Sequence, residues 1–366
     1  MGKADNGHTV WIEAQGKRYA VVIGEGVLAR TGESLAAWQG KTVAVIADQT
    51  VAALHGSTLR RSLDKAGLNV VWLEVPSGEQ SKCPAELGRL YDELLAAGIT
   101  RGDVMVAFGG GVTGDLAGYA AATYLRGVPC VQIPTTLLAQ VDSSVGGKVA
   151  IDLPQGKNLV GTFSQPVLVL ADTAVLSTLP AREFAAGMAE VIKYGCIGDA
   201  RLFSRLQSED VRDILPQIIA RCCQMKADIV ASDPLDHGER MLLNFGHTLG
   251  HAIETVAGYG NVLHGEGVAM GMVAAARWGE RWGDTPPGTA QQIAALLARY
   301  HLPTANPVHQ AEALLAAIGA DKKSDGEQIR VVLLKEIGQA FCRSMDKTQL
   351  AAQIRADWAA NEGGAS

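Results

Sequence analysis

The sequence predicts an α/β N-terminal domain with a mostly parallel sheet, followed by an all-α C-terminal domain. In the first half, short apolar runs alternate with helical patterns, as expected for strands joined by βαβ crossovers. After Leu179-Pro180 the pattern becomes helical as far as about residue 302. A chain of 366 residues is also too long for one simple core. We therefore expect two domains, at residues 1–179 and 180–366.

The elements of the first half follow from local patterns. Strands are predicted where apolar and β-branched residues run together, and helices where leucines and alanines repeat on one face. The predicted strands cover residues 42–47, 69–75, 104–108, 130–133 and 167–170. The predicted helices between them cover residues 51–66, 85–97 and 116–124.

The second half is predicted to be a helical bundle. Long amphipathic stretches run from residue 182 to about 302, with apolar positions at helical spacing. Only residues 329–334 have the apolar, β-branched character of a strand. This late strand is expected to pair back or to form a small hairpin.

Composition argues against several kinds of partner. The formal net charge is -6 and aromatic residues make up only 5% of the chain, which does not favour a nucleic-acid partner. No run approaches the roughly 20 apolar residues of a membrane span. The first residues are polar and do not resemble a signal peptide, and the six cysteines form no CxxC pair. We therefore expect a cytoplasmic protein with reduced thiols.

The loop after the third predicted strand is rich in glycine. Residues 109–115 read GGGVTGD and lead into a predicted helix, where the backbone and the first N–H groups are suited to a phosphate. The spacing is not the GxGxxG of an ordinary Rossmann unit, and the loop comes late in the sheet. It indicates either a different nucleotide-binding fold or a turn that is glycine-rich only for packing. Asp48, at a strand end, is suited to bind a ribose or to cap a turn.

A polar segment follows the fourth predicted strand. It contains Asp142 and Lys148, and Lys157 and Asn158 come soon after. Lysines with an aspartate and an asparagine are suited to grip a polar, anionic substrate. The alternative is a solvated surface loop.

The helical half contains a histidine cluster. His247 and His251 lie four residues apart, on one face of a predicted helix, and His264 opens the next helix. Histidine and carboxylate are ligands that zinc and similar divalent cations prefer. The motif is not the HExxH of metalloproteases, because Thr248 stands where that motif has glutamate. Spacing leaves the acidic ligand open, and the candidates are Glu190, Glu254 and Glu266.

Longer motifs extend from about residue 40 to residue 345. They lie at residues 76–82, 109–115, 133–148, 156–158, 189–195, 221–227, 242–252, 264–266 and 321–323. In their length and order these motifs resemble the 3-dehydroquinate synthase family. The resemblance implies an N-terminal NAD-binding domain and a C-terminal helical domain that binds a metal and the substrate.

Matching motif by motif, the resemblance implies a role for each site residue. It implies that Glu190, His247 and His264 bind Zn²⁺ or Co²⁺, and that His251 lies in the second sphere or at the substrate phosphate. The residues implied to contact substrate are Asp142, Lys148, Lys157, Asn158, Lys193, Lys226, Arg240 and Asn244. Arg126 is implied to reach substrate across a dimer interface, and one of Lys322 and Lys323 to bind phosphate.

The resemblance also implies an NAD⁺ site. Its residues come from strand ends and the loops that follow them: Asp48, Ser77, Gly78, Glu79, Gln80, Ser81, Lys82, Gly111, Val112, Thr113, Gly114, Asp115, Thr135, Thr136, Lys148, Lys157, Val175, Leu176, Ser177 and Thr178. The chain departs from the family after Asp48, where the family often has asparagine and this sequence has Gln49-Thr50. This departure affects the contacts implied for the adenosine half of NAD⁺.

The implied activity belongs to the shikimate pathway of aromatic amino acid biosynthesis. A phosphorylated sugar acid, 3-deoxy-D-arabino-heptulosonate 7-phosphate, would be converted into 3-dehydroquinate and phosphate. Transient oxidation by NAD⁺, phosphate elimination, re-reduction and an internal aldol closure would follow one another in a homodimer. Two alternatives remain: a related sugar-phosphate cyclase, or a polyol dehydrogenase of the glycerol-dehydrogenase type. Four lysines suited to an anion, at positions 148, 157, 193 and 226, disfavour the dehydrogenase.

Overall fold

The computed structural model describes residues 7–233, 238–258, 260–306, 311–320, 324–325 and 328–362. The chain forms two compact units. The first contains the described residues of Met1–Phe184 and Ile214–Leu235, and the second those of Ala185–Asp213 and Asp236–Ser366. The first unit thus differs from the predicted domain at residues 1–179, because it also includes a later segment that the sequence places in the second domain.

The strands of the two units, in chain order, confirm the predicted ones and add others. They are β1 (His8–Ala14), β2 (Lys17–Gly24), β3 (Thr42–Asp48), β4 (Asn69–Val75), β5 (Val104–Gly109), β6 (Cys130–Pro134), β7 (Lys148–Leu153), β8 (Gly156–Phe163), β9 (Leu168–Asp172), β10 (Ser324–Asp325), β11 (Gln328–Glu336) and β12 (Gln339–Asp346). The five strands predicted in the first half correspond to β3, β4, β5, β6 and β9.

The helices agree with the predicted pattern in both halves. They are α1 (Thr31–Ser34), α2 (Gln49–Lys65), α3 (Pro84–Ala96), α4 (Gly111–Thr123), α5 (Ala181–Gly198), α6 (Ala200–Ser208), α7 (Leu215–Ser232), α8 (His247–Ala257), α9 (His264–Trp282), α10 (Thr289–Arg299), α11 (Ala311–Ala320) and α12 (Lys347–Glu362). Helix α4 starts five residues earlier than predicted, because the glycine-rich loop forms its first turn. Within the described residues, no helix has both the length and the apolar character needed to cross a bilayer.

The first unit is built on a seven-stranded sheet in the order β1-β2-β9-β6-β5-β3-β4. Only the β1–β2 pair is antiparallel, so the predicted parallel sheet is confirmed. Helices cover both faces. Leucines of α3 and alanines of α4 pack on one face, and Leu59 and Leu63 of α2 pack on the other. The strand order reverses between β3 and β5, and ligands of such sheets bind at the strand ends beside this reversal.

Two antiparallel hairpins of the first unit were not predicted. The first is β1–β2, and the second is β7–β8, whose strands contain Lys148, Lys157 and Asn158. These three residues therefore lie in strands and not in the solvated surface loop that was the alternative. Val149 and Ile151 alternate with more exposed neighbours in β7, and their burial against the unit gives the segment its strand register.

The later segment of the first unit is helix α7. It packs on β1 and on the single-turn π-helix Ala139–Ser143. The Cys223 thiol donates to the Gln140 carbonyl at 3.3 Å, and Lys226 forms an ion pair with Asp142. These contacts place α7 with the N-terminal sheet, and helical periodicity alone carries no information about which sheet a helix covers.

The second unit is mainly helical, as predicted. Helices α8 and α9 form its largest helix–helix contact, and α10 and α11 pack against them. The late strand predicted at residues 329–334 is β11, which pairs with β10 and β12 in a small antiparallel sheet. The pairing confirms the predicted hairpin and adds a β element to a half that is otherwise helical.

Candidate metal centre and cofactor loops

Three polar side chains of the second unit come together at helix ends and a helix interior. Glu190 lies inside α5, while His247 and His264 are the first residues of α8 and α9. Their candidate ligand atoms all lie within 4.8 Å of one another. Glu190 Oε1 lies 3.6 Å from His247 Nε2 and 3.5 Å from His264 Nε2, and Glu190 is 1% exposed. A buried carboxylate flanked by two imidazoles matches the donor set of a divalent metal with open positions.

Close helix packing brings these three residues together. A Cβ at Gly265, beside His264, would lie 1.9 Å from the carbonyl oxygen of Ala186, one turn before Glu190. A Cβ at Gly271 would lie 1.9 Å from the carbonyl oxygen of Gly246, beside His247. We call these the glycine contacts. Since only glycine allows backbones to approach so closely, each contact fixes a ligand-bearing backbone against its neighbour.

The second nitrogen of each histidine also has a partner. His247 Nδ1 lies 3.2 Å from the carbonyl oxygen of Phe245, and His264 Nδ1 lies 2.9 Å from Glu254 Oε1. Both rings therefore direct Nε2 toward Glu190. When Nδ1 carries the proton, Nε2 keeps a lone pair that can bind a metal. The geometry also separates the three carboxylates left open by spacing. Glu254 bonds the outer nitrogen of His264, and Glu266 Oε2 accepts from the Leu263 N–H at the start of α9.

The electrostatics of this cluster favour a cation. Burial lowers the pKa of the His264 imidazole, but hydrogen bonds and charge attraction from Glu190 and Glu254 outweigh burial and raise the pKa to about 10. Glu190 also forms an ion pair with Lys193 of the same helix. The two carboxylates that raise this pKa stabilise positive charge beside His264, and they would stabilise a divalent metal in the same way.

Other residues implied by the resemblance lie in the same unit. The rings of His251 and His247 have centroids 5.3 Å apart, and His251 lies 5.8 Å from the His264 ring. Lys193 and Arg240 are buried cations, only 1% and 2% exposed. Asn244 is half-buried and ends a short 3₁₀ helix, Glu239–Asn244, that precedes α8. Buried cations beside a metal cluster suit an anionic ligand.

The substrate residues expected in the first unit lie on different elements. Lys226 Nζ lies 2.9 Å from Asp142 Oδ1 and 2.6 Å from the Asp142 carbonyl oxygen. Helix α7 and the single-turn π-helix Ala139–Ser143 therefore bring this pair together. Lys148 is exposed and opens β7. Arg126 is exposed too, at the end of a 3₁₀ turn where Leu125 and Arg126 both have left-handed backbones, with φ of 49° and 67°.

The glycine-rich loop lies at the strand-order reversal of the sheet. Strand β5 ends at Gly109 and α4 begins at Gly111. A Cβ at Gly109 would lie 3.1 Å from Asp48 Cβ, and one at Gly110 would lie 2.9 Å from Thr136 Cγ2. No side chain of the described part of the chain caps α4. The start of α4 thus lies beside the ends of β3, β5 and β6 and has no side-chain cap there from the described residues, as a diphosphate site requires.

Lys82 is the centre of a polar network in the first unit. Its ammonium lies 2.5 Å from Asp115 Oδ2 and 2.5 Å from Asn158 Oδ1. Burial alone would lower the pKa of Lys82, but the Asp115 carboxylate outweighs it and raises that pKa. Lys157 lies 3.6 Å from Glu79, so five implied cofactor or substrate residues share this network.

Asp152 belongs to the same network and was not predicted. Its Oδ1 accepts from the Asn158 N–H at 2.7 Å, and its own N–H donates to the Lys82 carbonyl at 2.8 Å. The alternation of Val149, Ile151 and their neighbours could have indicated the strand that carries it.

The remaining implied NAD⁺ residues make local contacts. Asp48 Oδ1 accepts from Thr50 N–H, Val51 N–H and Ser77 Oγ, and so caps α2. Thr136 Oγ1 accepts from the Ala139 N–H, while Thr135 is buried at the end of β6. Val175, Leu176, Ser177 and Thr178 belong to one 3₁₀ helix, Thr173–Thr178. Lys322 and Lys323 lie outside the described residues.

Comparison with protein families matches both halves of the chain. Residues 72–186 match the model of the 3-dehydroquinate synthase N-terminal domain, and residues 187–324 match that of the C-terminal domain. A 3-dehydroquinate synthase of Neisseria meningitidis is 47% identical over 348 residues, which cover 93% of this chain and 97% of the relative. A 3-dehydroquinate synthase of Caulobacter vibrioides is 48% identical over 352 residues, covering 92% and 95%.

Solved structures share the fold. A 2-deoxy-scyllo-inosose synthase complexed with carbaglucose-6-phosphate, NAD⁺ and Co²⁺ has a TM-score of 0.86 and 27% identity, covering 95% of this chain and 100% of that one. A 2-epi-5-epi-valiolone synthase of Streptomyces hygroscopicus with NAD⁺ and Zn²⁺ has a TM-score of 0.84 and 26% identity, covering 93% and 96%. A glycerol dehydrogenase of Schizosaccharomyces pombe, at 18% identity, 99% and 94% coverage and a TM-score of 0.63, shares the fold alone.

Proposed function

This chain belongs to the 3-dehydroquinate synthase family, and we propose that the residues described above carry out that family's reaction. It is an enzyme that converts 3-deoxy-D-arabino-heptulosonate 7-phosphate into 3-dehydroquinate and phosphate, with NAD⁺ and a divalent metal as cofactors. The conversion combines transient oxidation, phosphate elimination, re-reduction and aldol closure in the shikimate pathway. The observation that carries it is the 47% identity over 93% of the chain.

Glu190, His247 and His264 are the proposed ligands of the metal. Support comes from their mutual distances, the burial of Glu190 and the raised pKa of His264. A bound divalent cation supplies Lewis acidity, which lowers the pKa of a substrate hydroxyl. Lys193, ion-paired with Glu190, offsets the carboxylate charge and can also donate to a substrate oxygen.

The glycine-rich loop and the Lys82 network are the proposed NAD⁺ site. Bound NAD⁺ supplies the acceptor for a hydride that is later returned, so no net oxidation results. The start of α4 is suited to the diphosphate. Lys82 holds Asp115 and Asn158 by short hydrogen bonds, which fixes the side chains around that loop. Asp48 and residues 175–178 are proposed to contact the adenosine half.

Buried cations are proposed to bind the substrate's carboxylate and phosphate. Lys193, Arg240 and Lys226 are each at most 5% exposed, which strengthens their attraction for an anion. Lys148, Asn158, Asn244, His251 and one of the lysines at 322 and 323 complete the proposed substrate set. A neutral polyol offers these cations no negative charge, whereas the proposed substrate carries a carboxylate and a phosphate, which argues against the dehydrogenase alternative.

We also propose that the enzyme is a cytoplasmic homodimer. Arg126 supports the dimer, because it is exposed, it and Leu125 both have left-handed backbones, and Arg101 Nε donates to the Leu125 carbonyl at 2.6 Å. A turn held in this way presents the guanidinium outward, where it is suited to reach a second copy. Light scattering of the purified protein should give the mass of two chains, and a monomer at assay concentration would contradict this proposal.

A phosphate-release assay tests the reaction. The purified protein is incubated with the proposed substrate, NAD⁺ and Zn²⁺ or Co²⁺, and phosphate and NADH are followed together. We expect phosphate to be released without accumulation of NADH, and chelation of the metal to stop turnover. Steady NADH formation would instead support a dehydrogenase. Other phosphorylated sugars, offered in parallel, separate this reaction from that of a related cyclase.

A further inference from the structure

One buried carboxylate beside the candidate metal centre is not among its proposed ligands. Glu254 lies on α8, two turns after His247, and is 4% exposed. Its Oε1 lies 2.9 Å from His264 Nδ1. A carboxylate this buried needs a strong partner, since an unpaired buried charge costs several kcal/mol. One partner it has is the outer nitrogen of a proposed metal ligand.

The orientation of the His264 ring depends more on its contact with Glu254 than the orientation of the His247 ring depends on its contact with the Phe245 carbonyl. The His264 side chain is 34% exposed, whereas that of His247 is 11% exposed. The neighbours of His247 therefore restrict its ring, and its Nδ1 faces a backbone carbonyl. The ring of His264 is restricted less by packing, so the Glu254 carboxylate is the contact that fixes its rotation.

The contact also selects a tautomer. An acceptor at Nδ1 keeps the proton of a neutral imidazole on that nitrogen and leaves a lone pair on Nε2. Nε2 of His264 is the atom that lies 3.5 Å from Glu190 Oε1. The His264 ring thus lies between two carboxylates. Glu254 accepts from Nδ1–H on one side, and Glu190, another proposed ligand, lies beside Nε2 on the other side.

We propose that Glu254 is a positioning residue that completes a carboxylate–histidine–metal triad through His264. It binds no substrate and no metal, and it acts by orienting His264 and making Nε2 a better donor. The inference rests on the proposed ligand set of Glu190, His247 and His264. It adds a fourth residue whose effect is on metal affinity and geometry.

A competing arrangement uses the same atoms differently. His251, Glu254 and His264 also have candidate ligand atoms within 4.8 Å of one another. In that arrangement Glu254 would be a ligand itself. The two arrangements differ in what happens when Glu190 or His251 is removed, because only the first needs Glu190 and only the second needs His251.

Metal affinity of the purified, metal-stripped enzyme tests the proposal. Zn²⁺ binding is measured by competition with a chromogenic chelator for the wild type, Glu254→Ala and Glu254→Gln. We expect Glu254→Ala to bind Zn²⁺ about 10–100-fold more weakly. Glu254→Gln should lie closer to the wild type, because its amide oxygen still accepts from Nδ1–H. Affinity of a folded Glu254→Ala protein equal to that of the wild type would overturn the proposal.

Two further measurements distinguish a wrong ligand set from a wrong role for Glu254. Wild-type protein that binds no metal would contradict the ligand set itself, whatever Glu254 does. With Co²⁺ at saturation, the visible spectrum of Glu254→Ala should keep the wild-type shape, since no ligand has been removed. A change of coordination in that spectrum, or metal loss in His251→Ala with retention in Glu190→Ala, would make Glu254 a ligand and overturn its positioning role.

Discussion

The candidate metal centre of the second unit and the candidate cofactor loops of the first are held by different kinds of contact. Glu190, His247 and His264 lie on helices whose backbones touch through the glycine contacts. The proposed cofactor residues lie at strand ends, where Lys82 and Asp115 hold loops by side-chain hydrogen bonds and charge. Contacts between backbones are disrupted by any added side-chain volume. Buried charge networks are disrupted when one partner is removed and the other charge is left without it. The two sites should therefore fail under different substitutions.

The largest expected effect is loss of the metal in His247→Ala. The change removes a proposed ligand, so Zn²⁺ affinity should fall by more than the about 100-fold that second-sphere changes cost, and turnover should be lost. Metal content by mass spectrometry and NAD⁺ affinity by calorimetry are the measurements. Retained NAD⁺ binding shows that the cofactor loops survive; full metal content would remove His247 from the ligand set.

Lys82→Met is the matching disruption of the cofactor network. It leaves the Asp115 carboxylate without its ammonium partner, so we expect about 3 kcal/mol of destabilisation and weaker NAD⁺ binding. Chemical denaturation and calorimetry measure both quantities. The double variant Lys82→Met/Asp115→Leu should be more stable than the single one, because no charge is stranded. Unchanged stability in the single variant would mean that the pair contributes nothing.

Gly265→Ala tests the glycine contacts. The added Cβ would lie 1.9 Å from the Ala186 carbonyl oxygen, so the helices must separate, at a cost of about 1–3 kcal/mol in unfolding free energy. Metal affinity should fall as well. Gly88→Ala is the matched control, since no atom lies within 4 Å of its added Cβ and helix propensity should stabilise it by about 1 kcal/mol. Equal stability of the two variants would refute the role of backbone contact.

The smallest expected effect belongs to Asp48, whose two roles can be separated. Asp48→Ala removes the cap of α2 and should cost about 1 kcal/mol, whereas Asp48→Asn should keep the cap. Both variants should bind NAD⁺ about tenfold more weakly if the carboxylate accepts from the ribose. NAD⁺ affinity of Asp48→Asn equal to that of the wild type would leave Asp48 with the capping role alone.

The parallel sheet was predictable because its strands are buried on both faces and read as unbroken apolar runs. The β1–β2 hairpin was not predictable, since an apolar residue, Trp11, stands at an outward position of β1. It is 50% exposed, and the Arg18 guanidinium lies over its ring, 4.3 Å from the centroid. Spacing predicted a metal site among His247, His251 and His264, and the resemblance assigned His247 and His264 as the ligands. Glu190 could be selected only by resemblance, because the contact between α5 and α9 depends on packing through Gly265, which spacing does not describe.

The return of α7 to the first unit has a consequence for folding. Strands β1 and β2 are synthesised first, yet the helix that packs on them ends at Ser232. Helices α5, with Glu190, and α6 lie between these strands and α7 in the chain. The sheet is therefore incomplete until α7 has been synthesised. Contacts between residues this far apart in sequence slow folding. A chain truncated after residue 184 would lack α7 and leave β1 and β2, on which α7 packs, exposed to other chains.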